Sequence, residues 1–122
     1  MKNSFEILIK HSKNWGLDKG EVVRAAISAL KKKGLNKDVE LSIAFVGRTK
    51  AKRLNQEYRN MDYIPQVLGF PMSRKKDEDG KIRLGDIVIC TQKLKYEARF
   101  QNKTVSEVLG DWLLHGVENL LK

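Results

Sequence analysis

His115 is the residue whose type and setting most favour site chemistry. It lies on a predicted helix that begins with a capping box, Thr104 and Glu107, and continues with an apolar stripe that includes Val108. Because His115 follows Val108 by seven residues, we expect its side chain close to this stripe and at least half buried. An imidazole there could bind a metal ion, or it could be a packed, hydrogen-bonded core residue. The helix pattern alone leaves both roles open.

Arg59 is the candidate for binding a phosphate group. It lies near the end of a predicted short basic helix, Thr49 to Asn60. A guanidinium group can hold a phosphate through two parallel hydrogen bonds. The alternative is an exposed helix charge without a ligand.

The other potential ligands have weaker support. Glu118, three residues after His115, could approach a metal there or could be a solvated helix charge. His11 is the only other histidine, and its spacing does not favour a ligand role. Cys90 is the only cysteine, so it cannot form an intramolecular disulfide, and at the end of a strand it is expected in the core.

The charge balance favours a polyanionic partner. Lys and Arg total 24 against 15 for Asp and Glu, which gives a formal net charge of +9. Nucleic-acid phosphates would suit this charge, although a well-solvated basic surface without a partner has the same composition. The N-terminus is too polar for a signal peptide and the apolar runs are too short to span a membrane. We therefore expect a cytoplasmic monomer that contacts no membrane.

The first half of the chain predicts strand, helix and strand within a single domain, residues 1–122. Apolar residues alternate with others over Phe5–Lys10 and Val39–Phe45, as in strands with one face on the core. A helix that begins after Asp18 and ends before Gly34 lies between them. The lysines of its last turn either interact favourably with the helix dipole or contact RNA. Its predicted apolar stripe is Val23, Ala26, Ile27 and Leu30.

The second half predicts two further short strands before the helix that carries His115. These are Val67–Phe70 and Asp86–Cys90, and Pro71 closes the first of them. The polar segment Ser73–Arg83 is predicted to be a hairpin-type loop. No internal repeat or linker is apparent.

A series of short motifs runs through the second part of the chain: Leu54–Arg59, Asp62, Val67–Pro71, Leu84–Ile89, Ala98 and His115–Gly116. In their order and approximate spacing these motifs resemble the YbeY family. The resemblance is strong from Leu54 to Gly116 and weaker before Val46. It implies an α+β fold with a small mixed sheet of about four strands flanked by helices. It also implies one zinc site at the end of the last long helix and hydrolysis of single-stranded RNA in rRNA maturation and ribosome quality control, with rRNA and the small ribosomal subunit as partners.

The metal-binding motif is only partly present. The family pattern begins His-Gly-x-x-His and continues through Gly-x-Asp-His, which implies that His115 is the first zinc ligand. The second ligand position is occupied by Asn119, and the glycine that follows falls on Lys122. The third histidine has no counterpart, so we expect the domain to lack the family's C-terminal end. A hydrolytic zinc normally has three protein ligands, and we therefore expect zinc binding to be weak or absent.

The resemblance also gives roles to residues outside the metal motif. Arg59 matches the arginine of a Tyr-Arg motif and is implied to bind the substrate phosphate and take part in catalysis. Asp86 is expected to fix its strand against the site, and Phe70 with Pro71 to shape the cleft wall.

Two function classes follow. The first is a metal-dependent endoribonuclease in which a zinc-bound hydroxide attacks the phosphodiester while Arg59 holds the phosphate. The second is a non-catalytic relative that binds RNA or the ribosome after losing the metal site. A metallopeptidase is disfavoured, because Gly116 stands where such enzymes place a glutamate.

Overall fold

A computed structural model describes residues 5–35, 38–72 and 80–122 of the chain. Strands and helices alternate through most of the described residues. In chain order they are β1 Phe5–Lys10, α1 Lys19–Lys32, β2 Val39–Val46, α2 Arg48–Arg59, β3 Val67–Pro71, β4 Ile82–Cys90, α3 Thr91–Phe100 and α4 Val105–Leu120.

The four strands form one mixed sheet in the order β1-β2-β4-β3. The first three are parallel to one another, and β3 pairs with β4 in the antiparallel sense at the sheet edge. Parallel neighbours need crossover connections, and α1 and α2 lie in the connections that follow β1 and β2. This arrangement confirms the expected α+β fold with a four-stranded mixed sheet flanked by helices.

A bulge bends β4 next to β3. In the pairing with β2, Glu40 lies opposite Arg83 whereas Leu41 lies opposite Gly85, so one extra residue is accommodated in β4. Gly85 has a φ of +134°, and a Cβ at this position would lie 2.2 Å from the carbonyl oxygen of Phe70. Only glycine allows β3 to approach this closely.

The main core lies between one face of the sheet and the helices α1 and α4. Alternate residues of β2 point into it, as their periodicity predicted: Val39, Leu41, Ile43 and Phe45 are all buried. Helix α2 covers part of the opposite face, where the buried apolar residues outside the main core lie. These are Ala51, Leu68, Val88 and Cys90.

Helix α1 differs from its predicted stripe by a small rotation. Its buried residues are Val22, Ala26, Ala29 and Leu30, while Val23 and Ile27 are only partly buried. The helix packs against two elements at once, β1 and α4, so its buried face is set by tertiary contacts rather than by the largest side chains. The Asp18 side chain accepts a hydrogen bond from the Gly20 amide at 2.8 Å, and Lys31 and Lys32 lie in the last turn, as the sequence predicted.

Two other features differ from the sequence-based expectations. Strand β4 begins at Ile82 rather than Asp86, and residues 73–79 of the predicted hairpin-type loop lie outside the described residues. Helix α3 was not predicted at all. Its buried positions are only Leu94 and Ala98, which is too narrow an apolar stripe to be detected against the exposed Tyr96 and Phe100. No helix in the described parts of the chain is long and apolar enough to cross a membrane.

Candidate nucleic-acid cleft

One cavity brings together Arg59 and His115, the two main candidate site residues, which lie in the first and last motifs of the series. We call it the α4 cleft. It lies between α4, the edge strand β3 and the loop after α2, and its volume is about 790 Å³. A cavity of this size can accommodate a nucleotide. It is lined by Arg59, Tyr63, Ile64, Pro65, Gln66, Val67, Leu68, Gly69, Lys93, Trp112, His115, Asn119 and Lys122.

Arg59 is the last residue of α2, and its side chain is exposed. Its Nη1 donates a hydrogen bond to the Tyr63 hydroxyl at 3.4 Å, a long contact at the surface. No carboxylate of the described residues lies within 4.0 Å of its guanidinium group. The guanidinium therefore retains most of its donors for a ligand.

The loop between α2 and β3 is fixed to α2 by buried and surface contacts. Asn55, which is fully buried, donates from Nδ2 to the carbonyl oxygen of Tyr63 at 3.0 Å. Asp62 accepts a hydrogen bond from Gln56 Nε2 at 2.7 Å, and Lys52 lies 3.6 Å from the same carboxylate. Asn55 and Asp62, which belong to the motif series, thus position the wall of the cleft beside Arg59.

His115 lies at the margin of the buried face of α4, and its side chain is exposed. The sequence favoured a more buried position for His115 than the structure shows. At about 100° per residue, the buried face is centred between Leu109 and Leu120, and Val108 is at its edge. A residue seven positions after Val108 therefore falls just outside that face and opens into the cleft.

Asn119 stands one turn after His115 and lines the same cleft. Its side chain is partly buried against the edge strand, because a Cβ on Gly69 would lie only 3.4 Å from Asn119 Cβ. Positions 115 and 119 thus present an imidazole and an amide side by side, where the resemblance implied two imidazoles.

The remaining candidate ligands lie outside the α4 cleft. The Glu118 carboxylate accepts a hydrogen bond from Lys33 Nζ at 3.1 Å, which joins α4 to the end of α1 and lowers the pKa of Glu118. Cys90 is buried, as expected, and His11 stacks on Trp15 with ring centroids 3.8 Å apart. Among the described residues, no three His, Cys, Asp or Glu side chains are grouped as a metal site. His115 and its neighbours therefore do not by themselves fit a three-ligand zinc site.

The structure places Phe70 and Asp86 away from His115. Both line a cavity on the α2 side of the sheet, where Phe70 meets Tyr58 edge to face at a centroid distance of 5.2 Å. Asp86 is exposed on β4, and Pro71 ends β3 opposite Gly85. Phe70 and Asp86 thus contribute to the α2 side of the sheet, whereas Gly69 of the same motif lines the α4 cleft.

The charge of the α4 cleft is positive. Lys93 and Lys122 join Arg59 in its lining, and no acidic side chain occurs among the described residues that line it. Neither lysine was predicted from the sequence to bind a ligand. Lys93 lies on helix α3, which was not predicted. The one sequence signal for Lys93 is that this charged residue follows the apolar strand β4 closely and precedes the apolar Leu94.

The sequence profile described as Endoribonuclease YbeY matches residues 9–121. The Endoribonuclease YbeY of Macrococcus caseolyticus is 30% identical over 83% of this chain and 68% of that protein. The Endoribonuclease YbeY of Mycoplasma mycoides is 38% identical over 70% of this chain, but only 54% of that protein is covered. This chain thus spans between about half and two thirds of these relatives.

A similar fold occurs in a solved structure from Thermotoga maritima. That solution structure aligns with 97% of this chain and 72% of its own, with a TM-score of 0.58 and 24% identity, and it supports the fold alone. The profile covers nearly the whole sequence, and the Macrococcus relative is covered over more than two thirds of its length. The chain therefore belongs to the YbeY endoribonuclease family.

Proposed function

We propose that this protein binds single-stranded RNA in the α4 cleft and acts there as an endoribonuclease in rRNA maturation and ribosome quality control. The observation that carries the proposal is the convergence of Arg59 and His115. They are separated by more than fifty residues and belong to different helices, yet they line one positively charged cleft. The relatives named as endoribonucleases support the same conclusion.

The cleft's own residues suit an RNA phosphate. Arg59 can hold two phosphate oxygens at once. Lys93 and Lys122 add positive charge, and their flexible ammonium groups do not require a fixed orientation of the phosphate. During hydrolysis negative charge builds up on the phosphate oxygens, and a guanidinium already in place stabilises it. His115 presents to the same cleft an imidazole that can bind a proton or a metal ion.

Zinc is implied by the resemblance, and in a hydrolytic site it would supply a bound water of lowered pKa. His115 is the described residue that would hold it. Asn119 offers a neutral amide in place of the second imidazole, which is a poor ligand for zinc. The described residues therefore support RNA binding more strongly than metal-assisted hydrolysis.

The second candidate is a non-catalytic relative that binds RNA or the ribosome through the same cleft. The amide of Asn119, which stands where the resemblance implied a second imidazole ligand, favours it. Both candidates require Arg59 for binding. They differ in whether the phosphodiester bond is broken and whether His115 is needed.

A combined binding and cleavage experiment distinguishes the candidates. Binding of single-stranded RNA is measured in the presence of a chelator, and cleavage is then followed with and without added zinc. His115→Ala, purified in the same way, controls for contaminating ribonucleases. Elemental analysis of the dialysed protein gives the metal content.

Cleavage that requires His115 would support the enzyme. Salt-sensitive binding without cleavage at any zinc concentration would support the non-catalytic relative. If single-stranded RNA does not bind even at low salt, both candidates fail, because the electrostatic attraction between the basic cleft and the RNA phosphates is strongest under those conditions.

A further inference from the structure

A second positively charged cavity lies at the carboxyl ends of the parallel strands β1, β2 and β4. We call it the carboxyl-edge cavity, and its volume is about 530 Å³. The proposed RNA cleft does not include any of its residues. It is lined by Lys10, His11, Ser12, Asn14, Trp15, Ala44, Phe45, Val46, Gly47, Lys50, Thr91, Gln92 and Lys95.

Three lysines give this cavity its charge. Lys10, Lys50 and Lys95 line it together, and none of the lining residues that the structure describes is acidic. Within the described ranges, no carboxylate lies within 4.0 Å of any of the three, whereas Lys33, Lys52 and Lys81 each form an ion pair elsewhere. Like charges that lie close together repel one another, and an anion that binds among them relieves this repulsion.

Lys95 is held at the cavity by the loop that follows β1. A Cβ on Gly16 would lie 2.8 Å from Lys95 Nζ, so the ammonium group rests against the backbone of this loop. Gly16 has a φ of +73°, a conformation that glycine adopts without strain. The position of the Lys95 charge is thus set by tertiary packing.

The backbone adds hydrogen-bond donors to the charge of the lysines. Helices α2 and α3 both begin at this cavity, after Gly47 and Cys90, and neither of these two N-cap residues makes a side-chain hydrogen bond to the first amides of its helix. By contrast, Asp18 and Thr104 cap α1 and α4. Uncapped amides at the start of a helix favour oxyanions such as phosphate.

An ordered aromatic surface borders the lysines. The His11 ring stacks on Trp15 with an interplanar angle of 7°, and Trp15 in turn packs edge to face on Phe45. Trp15 is buried while His11 is exposed, so one face of the imidazole is available. A nucleobase can stack on such a face at little entropic cost, because the ring is already fixed.

The first turn of α3 separates the two cavities. Lys93 lines the α4 cleft, whereas Thr91, Gln92 and Lys95 line the carboxyl-edge cavity. We propose that the carboxyl-edge cavity is a second RNA subsite, which binds a phosphate of the strand flanking the part held in the α4 cleft, while His11 stacks on an adjacent base. This rests on the proposed binding of RNA in the α4 cleft.

The test removes two of the lysines that distinguish this cavity. The double variant Lys10→Gln/Lys95→Gln is compared with Lys31→Gln/Lys32→Gln, which removes the same charge from the exposed last turn of α1. Affinity is measured with a chelator present for single-stranded RNAs of about 4 and about 12 nucleotides, which bracket short and long binding sites. Arg59→Ala, measured in parallel, reports on the α4 cleft.

We expect the cavity variant to lose about tenfold or more in affinity for the longer RNA, the effect of losing one or two charge-assisted hydrogen bonds. Its affinity for the shorter RNA should be nearly unchanged, and the control variant should lose much less. Equal losses in the cavity and control variants, or equal losses for both RNA lengths, would overturn the second subsite. If Arg59→Ala still weakened binding in that case, the proposed function would stand without it.

A measurement on the unaltered protein guards against misfolding of the variant. The longer RNA should shift the amide NMR resonances of Gly16, Gly47 and Thr91, and the shorter RNA should not. Resonances that stay unshifted with the longer RNA bound would contradict the proposal.

Discussion

Gly116 of α4 lies directly over Ile87 of β4. A Cβ on Gly116 would lie 2.9 Å from Ile87 Cδ1 and 3.2 Å from its Cγ2, and Ile87 is fully buried, so it has little freedom to move aside. The absence of a side chain at position 116 allows α4 to lie close to the sheet. Because His115 is the preceding residue, the close approach of α4 to the sheet also determines how far the imidazole lies from the sheet at the edge of the α4 cleft.

Gly116→Ala should therefore destabilise the protein by about 1–3 kcal/mol through overpacking. The matched control is Gly110→Ala in the same helix, where a Cβ would meet nothing within 4 Å. There the better helix propensity of alanine should stabilise the protein by up to about 1 kcal/mol. Denaturant unfolding measures both, and equal effects of the two substitutions would mean that Ile87 yields easily.

Arg59→Ala should weaken binding of single-stranded RNA about tenfold or more, the effect of a lost charge-assisted pair of hydrogen bonds, while the thermal midpoint stays nearly unchanged. The guanidinium is exposed and its one described contact is the long bond to Tyr63. Arg53→Ala is the control, because Arg53 is an exposed arginine of the same helix that does not line the cleft. A large fall in the midpoint for Arg59→Ala would show that Arg59 is a structural residue instead.

Asn119→His should raise the affinity for zinc by at least about tenfold, since even groups that only support a ligand change metal affinity by that factor. The substitution places a second imidazole one turn after His115 in the same cleft. Competition with a chelator measures the affinity. The gain should vanish in the double variant with His115→Ala, and its persistence would mean that zinc is bound elsewhere.

The capping box of α4 predicts a dependence of stability on pH. The Thr104 backbone amide and then its hydroxyl donate to the Glu107 carboxylate, and these hydrogen bonds lower the pKa of Glu107 below its usual value of 4.5. A group whose pKa is lowered on folding stabilises the fold above its usual pKa, and this contribution is lost as the pH falls through the lowered value. Thr104→Ala removes only the hydroxyl bond to this carboxylate, so it should raise the pKa of Glu107 part of the way towards normal, while the backbone amide, the larger cause, remains.

The difference in thermal midpoint between the wild type and Thr104→Ala should accordingly narrow as the pH falls below about 4.5. It should not vanish, because the Glu107 amide also donates to the Thr104 hydroxyl at 3.1 Å, and this bond does not titrate. Glu107→Gln retains the geometry without a titrating carboxylate, so its difference from Glu107→Gln/Thr104→Ala should stay constant with pH. NMR titration of Glu107 gives the pKa directly.

The elements with strong local signals could be predicted from the sequence. The alternation over Val39–Phe45 predicted β2, and the pair Thr104 and Glu107 predicted the start of α4, because both signals arise from residues close in the chain. The mixed four-stranded sheet followed from the family resemblance of the motif series. Helix α3 escaped prediction because its two buried residues give too weak a period.

The arrangement of the site residues in space depends on the fold and could not be predicted from the sequence. Residue types singled out Arg59 and His115, but their presence in one cleft is decided by the packing of α2, α4 and the edge strand β3. The exposure of His115 was likewise decided by which side of α4 meets the sheet, and Gly116 against Ile87 fixes that side. Local patterns determine which residues form a helix or strand, since those interactions span a few residues. Which side chains face one another across the molecule depends on contacts between distant segments, and only the tertiary structure determines these.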